Sequence, residues 1–566
     1  MRLTMMRLET ALAGLAIAGC ATMGEQGPTG AGDEERPTGT EQRAATISCS
    51  ELTTAKLHIR DLRIISAVAV AASDKLPAHC QVTGALDERT GIDGKPYAIG
   101  FEVRAPDAWN GKFFFQGGGG TNGVIVPATG NLLNAPTGTA LALGYAVAST
   151  DGGHATGQAD ATFGVDPQAR SDYGYNAVGR VTITAKRILA THYGRAPSRS
   201  YFVGCSNGGR DAMVAAARFA DHYDGFVAED PGFNLPKAAV AEQWDTQQFF
   251  SATAPGQLPR DAFPGSAMTL VAQRISAACD ALDGATDGMV NDRARCQQVF
   301  SLARDVPTCA GASDLSCLTA AQKAALANVF AGATNSAGRS LYASWPWDPG
   351  IAGAGWRFWK LDAGFAPLPF NTIIGASAMG YIFTTPPDQP SLADGGLGYQ
   401  LGFSMDRDAP KIFATTRVYR ESAIAFMTPP NPTHLPELRR HGKLLVVHGT
   451  ADPVFSANDT IAWYEALNAR DPRAANYARL FLVPGMNHCN GGPATDRFDV
   501  LTPLVDWVEH GIAPEAIVAT VNPENPDVAA AGWPATRGRP LCAFPKRAVL
   551  KHGATDLEAA ASFQCR

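Results

Sequence analysis

No stretch of this chain strings together the roughly 20 apolar residues that a membrane-crossing helix needs, so a spanning protein is not expected. Charge is sparse: 18% of the 566 residues are Asp, Glu, Lys or Arg, and the formal net charge is -6. No basic run offsets that balance, which argues against a nucleic-acid partner, because affinity for phosphate comes from clustered Lys and Arg. No C-x-x-C pair has zinc spacing, no internal repeat is visible, and no G-K-[ST] follows the glycine run at 117–120. Zinc modules and phosphate-cradling P-loops drop out on those grounds. What remains is ample core, with 45% hydrophobic residues, and abundant loop formers, with 58 glycines and 38 prolines. The length suits about two to four domains.

Arg2 and Arg7 precede a short apolar run, Ala11 to Gly19, and then Cys20. Residues 1–19 read as an export signal, too short to span a membrane. Ile17-Ala18-Gly19-Cys20 is similar to the bacterial lipobox, whose cysteine takes a lipid and becomes the mature N-terminus. Cys20 is therefore the expected lipidation site, with an ordinary signal peptide as the alternative. Residues 20–47, rich in Gly, Pro, Thr and charge, read as a disordered linker. The expected location is exported: periplasm, outer membrane through a lipid anchor, or secreted. Ten cysteines remain besides Cys20, and an even number in an exported chain reads as a disulfide framework. Sequence alone allows hundreds of pairings. Local spacing favours Cys279–Cys296, Cys309–Cys317 and Cys542–Cys565; Cys49 and Cys80 then pair near the start, and Cys205 and Cys489 remain for each other.

Over 48–232, strand and helix signals alternate. Tyr97–Val103, Lys112–Gln116, Gly144–Thr150 and Ser200–Gly204 read as strands; 178–192 and 208–220 read as helices. Over 233–438 the alternation is lost, prolines and tryptophans cluster, and four of the ten cysteines appear, as in an inserted lid domain. Alternation returns over 439–566, with strands at Lys443–His448 and Ala478–Val483 and a helix over 502–509. Strands alternating with helices imply an α/β fold with a mostly parallel sheet, here an α/β-hydrolase core interrupted by a large lid.

Ser206 stands in Gly204-Cys205-Ser206-Asn207-Gly208, a G-x-S-x-G elbow with a strand before it and a helix after it. A serine hydroxyl needs a base within hydrogen-bond reach, and the base needs an orienting acid. Asp452 and His488 each follow a strand, and the chain order Ser, Asp, His is that of α/β-hydrolases. His448 lies within a strand before the acid and reads as a packed core group. His154 reads as loop structure. A developing oxyanion needs preorganised N–H donors: the expected ones are Asn207 and either Gly118 or Gly119 of the glycine run.

Within 279–296, Asp280, Asp283 and Asp287 fall close together, with Gly284 and Gly288 permitting tight turns. Hard oxygens at this density suit Ca²⁺, with backbone carbonyls, those of Ala285 and Met289, completing the shell. The spacing is not that of an EF-hand, and no histidine is present to suggest hydrolytic zinc, so the expected ion is structural.

Cys205-Ser206, a later Asp452 and His488-Cys489 together resemble the tannase and feruloyl esterase family. Other stretches are similar too: TDGMV in the acidic loop, WDPGIAGAGWRFWKL at 347–361, LVDWVEHGIAPEAIVAT at 504–520 and RPLCAFP at 539–545. The resemblance implies an α/β-hydrolase core, a lid carrying structural Ca²⁺, and a disulfide joining Cys205 to Cys489. It implies a substrate that is a small ester of an aromatic acid, feruloyl or galloyl, or in one bacterial branch the mono(2-hydroxyethyl) ester of terephthalic acid. That branch is expected to grip the free carboxylate with a lid arginine. The matching stretch here, 375–390, has none, and Ser377 takes its place. Losing that cation removes a contact worth about 1.5–3 kcal/mol, so phenolic esters are favoured over the terephthalate monoester. Phe370, Tyr381, Phe383 and Phe455 are candidate pocket walls with Ser377. The rivals are a lipid-anchored binding protein on a hydrolase scaffold, and a peptidase or lipase of the same fold.

Overall fold

The computed structural model describes residues 44–311, 314 and 316–566. The expected signal segment 1–19, Cys20 and residues 20–43 of the linker lie outside the described residues. The end of that linker is tied down: Thr46 and Ile47 both donate their N–H to the His192 carbonyl, at 2.8 and 3.3 Å.

The main sheet of the described residues has nine strands: β1 (Leu62–Val70), β2 (His79–Thr90), β3 (Pro96–Pro106), β4 (Lys112–Gln116), β5 (Ala146–Thr150), β6 (Arg199–Cys205), β7 (Gly225–Glu229), β8 (Lys443–Gly449) and β9 (Ala478–Val483). Their order is β1-β2-β3-β5-β4-β6-β7-β8-β9. From β5 to β9 every pairing is parallel; β1, β2 and β3 add an antiparallel wing that joins through β3 and β5.

The residues explain the division. Parallel strands covered on both faces are apolar along their length, and in β4 the rings of Phe113, Phe114 and Phe115 are all fully buried. Their alternation decides which face each serves. Phe113 and Phe115 meet the helices Ala177–Tyr193 and Asn207–Arg218 in one core; Phe114 meets Leu501, Leu504 and Trp507 of the helix Leu501–His510 in another. The wing is half wet: in β1, Leu62 is buried while Ile65 and Val68 are exposed.

Between β7 and β8 the described chain is helical, with Leu235–Ser251, Gly265–Cys279, Ala320–Ala331, Ala354–Lys360 and Phe370–Ser377 among its elements. It builds an apolar cluster of its own around Phe249, Phe263, Ile275, Leu326 and Trp356, which also takes in Val454 and Phe455 from the loop after β8. A three-stranded sheet, β10 (Arg497–Phe498), β11 (Ala516–Thr520) and β12 (Gly538–Cys542), follows β9. Among the described residues five disulfides form: Cys279–Cys296, Cys309–Cys317 and Cys542–Cys565, favoured by spacing, and the expected Cys49–Cys80 and Cys205–Cys489. No helix of the described residues is long and apolar enough to cross a membrane.

Candidate active site

Parallel strands deliver their C-terminal ends to one edge of a sheet, and loops leaving that edge can converge. β6, β8 and β9 do this. Ser206, immediately after β6, has φ 62° and ψ −125°, a backbone that L side chains rarely adopt. The turn is held by its N–H donating to Glu229 O at 3.0 Å and by Arg210 N donating back to Ser206 O at 3.0 Å. Glycine is required beside it: a Cβ on Gly208 would sit 2.5 Å from Gly118 O. The small residues thus let the 117–120 loop close onto the elbow.

The structure brings Ser206, His488 and Asp452 into one relay. His488 Nε2 lies 2.8 Å from Ser206 Oγ, and its Nδ1 lies 2.9 Å from Asp452 Oδ2. The other oxygen, Asp452 Oδ1, accepts from the N–H of Val454 and of Phe455 at 2.7 and 3.1 Å. Burial alone would raise the Asp452 carboxyl. The charge of His488 and the hydrogen bonds of His448 and His488 outweigh it and hold the carboxyl well below the usual carboxylate range. For His488, burial pulls the imidazole down, but the Asp452 carboxylate beside it wins and raises its pKa. The arrangement can move a proton from Ser206 Oγ to Nε2 while Asp452 holds the tautomer and steadies the cation.

The Cys205–Cys489 disulfide, Cα atoms 6.0 Å apart, joins the residue before the serine to the residue after the histidine. His448 is fully buried, as expected of a core group, and it also touches the acid: its Nε2 is 3.4 Å from Asp452 Oδ2 and 3.0 Å from Phe455 O. His154 is buried against Phe163, ring centroids 3.6 Å apart, with Nε2 2.8 Å from Thr121 O, so it supports the loop that carries the glycine run. Asn207 is buried beside the serine, and its side-chain amide donates to Asn122 Oδ1 at 3.1 Å. Gly117 N donates to Val203 O at 2.9 Å and so continues the strand pairing.

Of the candidate pocket walls, Phe455 is brought to the site: its ring meets that of His488 edge-on at 5.4 Å. Phe370 stands one ring further out, 4.9 Å from Trp359. Ser377 and Phe383 are placed differently from a free pocket lining. Ser377 is 2% exposed and its hydroxyl accepts from Ala161 N at 3.2 Å. Phe383 is 1% exposed in a core shared with Phe163, Tyr173 and Phe426. Tyr381 donates its hydroxyl to Pro390 O at 3.1 Å. The sequence reading missed Trp359, whose ring contacts His488 edge-on at 5.4 Å. Its signal was the tryptophan-rich stretch at 347–361, which does not say which indole faces inward.

The acidic loop folds on itself. Asp280 Oδ1 accepts from the N–H of Asp287 and Gly288, both at 3.1 Å; Asp283 Oδ1 accepts from Ala285 N at 3.0 Å; Asp287 Oδ1 accepts from Met289 N at 3.0 Å. Asp287 Oδ2 also takes Arg539 Nη2 at 2.5 Å. Burial, opposed by hydrogen bonds and reinforced by Asp287, raises the Asp280 carboxyl and pushes that of Asp283 up to about 6. The loop offers the oxygen ligands a hard divalent cation takes, but its three carboxylates are each engaged by N–H donors, Asp287 also by Arg539, and they do not converge on one point.

Comparison with known proteins bears on most of the chain. The sequence model of a family described as tannase and feruloyl esterase matches residues 80–365 and 418–566. A mono(2-hydroxyethyl) terephthalate hydrolase of Piscinibacter sakaiensis is 42% identical over 532 residues, covering 88% of this chain and 87% of the relative. A probable feruloyl esterase of Arthroderma benhamiae is 30% identical over 478 residues, 81% of each chain. Among solved structures, feruloyl esterase B from Aspergillus oryzae superposes with a TM-score of 0.73 at 21% identity, covering 91% of this chain and 99% of the other, and shares the fold.

Proposed function

This chain belongs to the tannase and feruloyl esterase family, and from that premise we propose that it is an exported serine carboxylesterase acting on esters of phenolic aromatic acids. The observation that carries the reading is the relay from Ser206 Oγ through His488 to Asp452, at 2.8 and 2.9 Å. Ser206 Oγ attacks the ester carbonyl carbon as its proton passes to His488 Nε2. The tetrahedral oxyanion is met by the N–H of Asn207 and of Gly118 or Gly119. Collapse breaks the bond to the alcohol, which leaves with the proton from Nε2, and the acyl group stays on Ser206. His488 then takes a proton from water, whose hydroxide attacks the acyl-enzyme; the second collapse releases the acid and returns the proton to Ser206.

For the acyl group we favour neutral phenolic rings. The 375–390 segment offers no arginine, and the Ser377 hydroxyl is engaged with Ala161 N. Arg170 does reach that segment, but it spends its donors on the carbonyls of Gly164, Tyr381 and Thr384. A second reading, terephthalate-monoester hydrolysis, is favoured by the 42% identity to the Piscinibacter sakaiensis enzyme. In the same proposal, Ca²⁺ in the 279–296 loop is structural, held by Asp280, Asp283 and Asp287 with the carbonyls of Ala285 and Met289. Five disulfides support export, with Cys20 as the lipid anchor.

Ser206→Ala is expected to lower kcat on methyl ferulate and methyl gallate by about 10⁴-fold or more while the circular dichroism spectrum is retained. Activity in the variant equal to wild type would refute the serine mechanism. In the wild type, turnover of the terephthalate monoester above that of methyl ferulate would establish the second reading instead.

A further inference from the structure

Behind the triad lies an ionisable group that the proposed chemistry does not use. Asp230 follows β7, is fully buried, and takes φ 38°, in the left-handed region where Asp and Asn are tolerated better than other side chains. Its N–H donates to Val447 O of β8 at 2.8 Å, so the chain turns at once beside the strand that leads to the acid. Its carboxylate then reaches all three segments that carry the triad. Oδ1 accepts from Gly449 N at 2.8 Å, at the end of β8 and three residues before Asp452. Oδ2 accepts from Cys489 N at 3.1 Å, the residue after His488, and lies 3.9 Å from Cys205 Sγ, the residue before Ser206. Cys489 is itself held at φ 65°, and its carbonyl accepts from Asn134 Nδ2 at 2.8 Å. A carboxylate buried without a full counter-ion is costly, and a strained backbone beside a reactive centre is where such cost serves function.

We infer that Asp230 is a positioning residue for the catalytic histidine: by gripping the N–H groups of Cys489 and Gly449 it sets His488 against Ser206 and Asp452, and when ionised it places a second negative charge behind the imidazolium. The inference rests on the serine-esterase reading above. The groups that face it are Asp452 and His448 from β8 and its following loop, His488 from the loop after β9, and Glu229 from its own strand. His448 Nε2 is 3.7 Å from Oδ1. Burial, with Asp452 next, pushes the Asp230 carboxyl up to about 7, and the two histidines pull against that rise. In return Asp230 adds to Asp452 in raising His488. Losing the charge therefore lowers the pKa of His488 and moves the acid limb of kcat/KM to lower pH, while misplacement of the imidazole lowers the maximum.

Asp230→Asn keeps the size and tolerates the backbone; Asp230→Gly accepts the positive φ freely and serves if the first variant fails to fold. Both are measured on methyl ferulate beside wild type and Ser206→Ala. The expected result is a kcat lower by about 10- to 100-fold, a KM within about threefold of wild type, and an acid limb shifted to lower pH. A folded variant with wild-type kcat and an unmoved acid limb, or with a loss confined to melting temperature, overturns the inference. If Ser206→Ala stays active, the esterase reading falls and this inference with it; if Ser206→Ala is dead and the Asp230 variants match wild type, the positioning role alone falls.

Discussion

Ser206 carries its identity in four neighbours. Gly204 and Gly208 let two backbones touch, and a positive φ of 62° lifts the hydroxyl out of the strand-to-helix turn. That much is readable in a five-residue motif because the constraint is local. His488 and Asp452 are readable by order alone, each following an apolar strand. What order does not convey is the electrostatics. His488 loses water on burial, which disfavours its cation, and gains Asp452 at 2.9 Å, which favours it; the net shift is upward from 6.5. In the proposed mechanism Nε2 must be free to take the serine proton, so activity requires the neutral ring. The kcat/KM profile is therefore expected to rise with pH through a midpoint above 6.5, read from initial rates between about pH 5 and 9. A rising limb centred below 6.5 would mean that burial, not Asp452, dominates at His488.

Elements with uniform character were legible, and those that mix characters were not. β4, β8 and β9 stand where continuous apolar runs place them, and Lys112–Gln116 and Ala478–Val483 keep the bounds read from the sequence. β1 and β2 are not legible in the sequence: β2 shows no clean alternation, with a mostly buried stretch followed by Asp87, Glu88 and Arg89 side by side at its less buried end. β7 is only five residues, Gly225–Glu229, and its neighbours give no periodicity, although it carries Asp230 to the site. The acidic loop 279–296 belongs to this scale as well. Its ends are fastened by Cys279–Cys296, and the proposed divalent cation, bound only by the folded state, would add stability by mass action. Chelation is expected to lower the melting midpoint by about 5 °C, and added Ca²⁺ to restore it, as followed by scanning calorimetry with metal analysis of the untreated protein. Protein without bound Ca²⁺ whose midpoint ignores chelator would remove the ion from the account.

Across the whole molecule, the chain leaves the sheet after β7 and returns at β8, with its helices resting on Val454 and Phe455 beside the acid. Ser206 and His488, the proposed nucleophile and base, are thus separated by about half of the chain, and Cys205–Cys489, 284 residues apart in sequence, ties their neighbours together. In the loop-entropy account such a bridge is worth about 5 kcal/mol, but its position gives it a second consequence: it ties the elbow to the histidine loop directly. Partial reduction is expected to remove esterase activity before the sheet unfolds, with a fall of about 10-fold or more in kcat from imidazole misplacement while far-ultraviolet circular dichroism is unchanged. Activity that persists until global unfolding would show that the sheet alone holds the register.

The sequence by itself singled out Ser206, Asp452 and His488, which the fold brings into one relay, and by spacing it favoured three short-range disulfides that the fold forms, because each is announced by neighbours or by spacing along the chain. Only the tertiary structure decided what surrounds them. Trp359 reaches His488 from a helix 129 positions earlier, Ser377 turns inward to Ala161 N, and Asp230 grips Cys489 N across 259 positions. The physical reason is that burial and hydrogen bonding are satisfied in three dimensions. A polar group in the interior must find whichever partner the fold brings near, and nothing local in the chain encodes a partner hundreds of residues away.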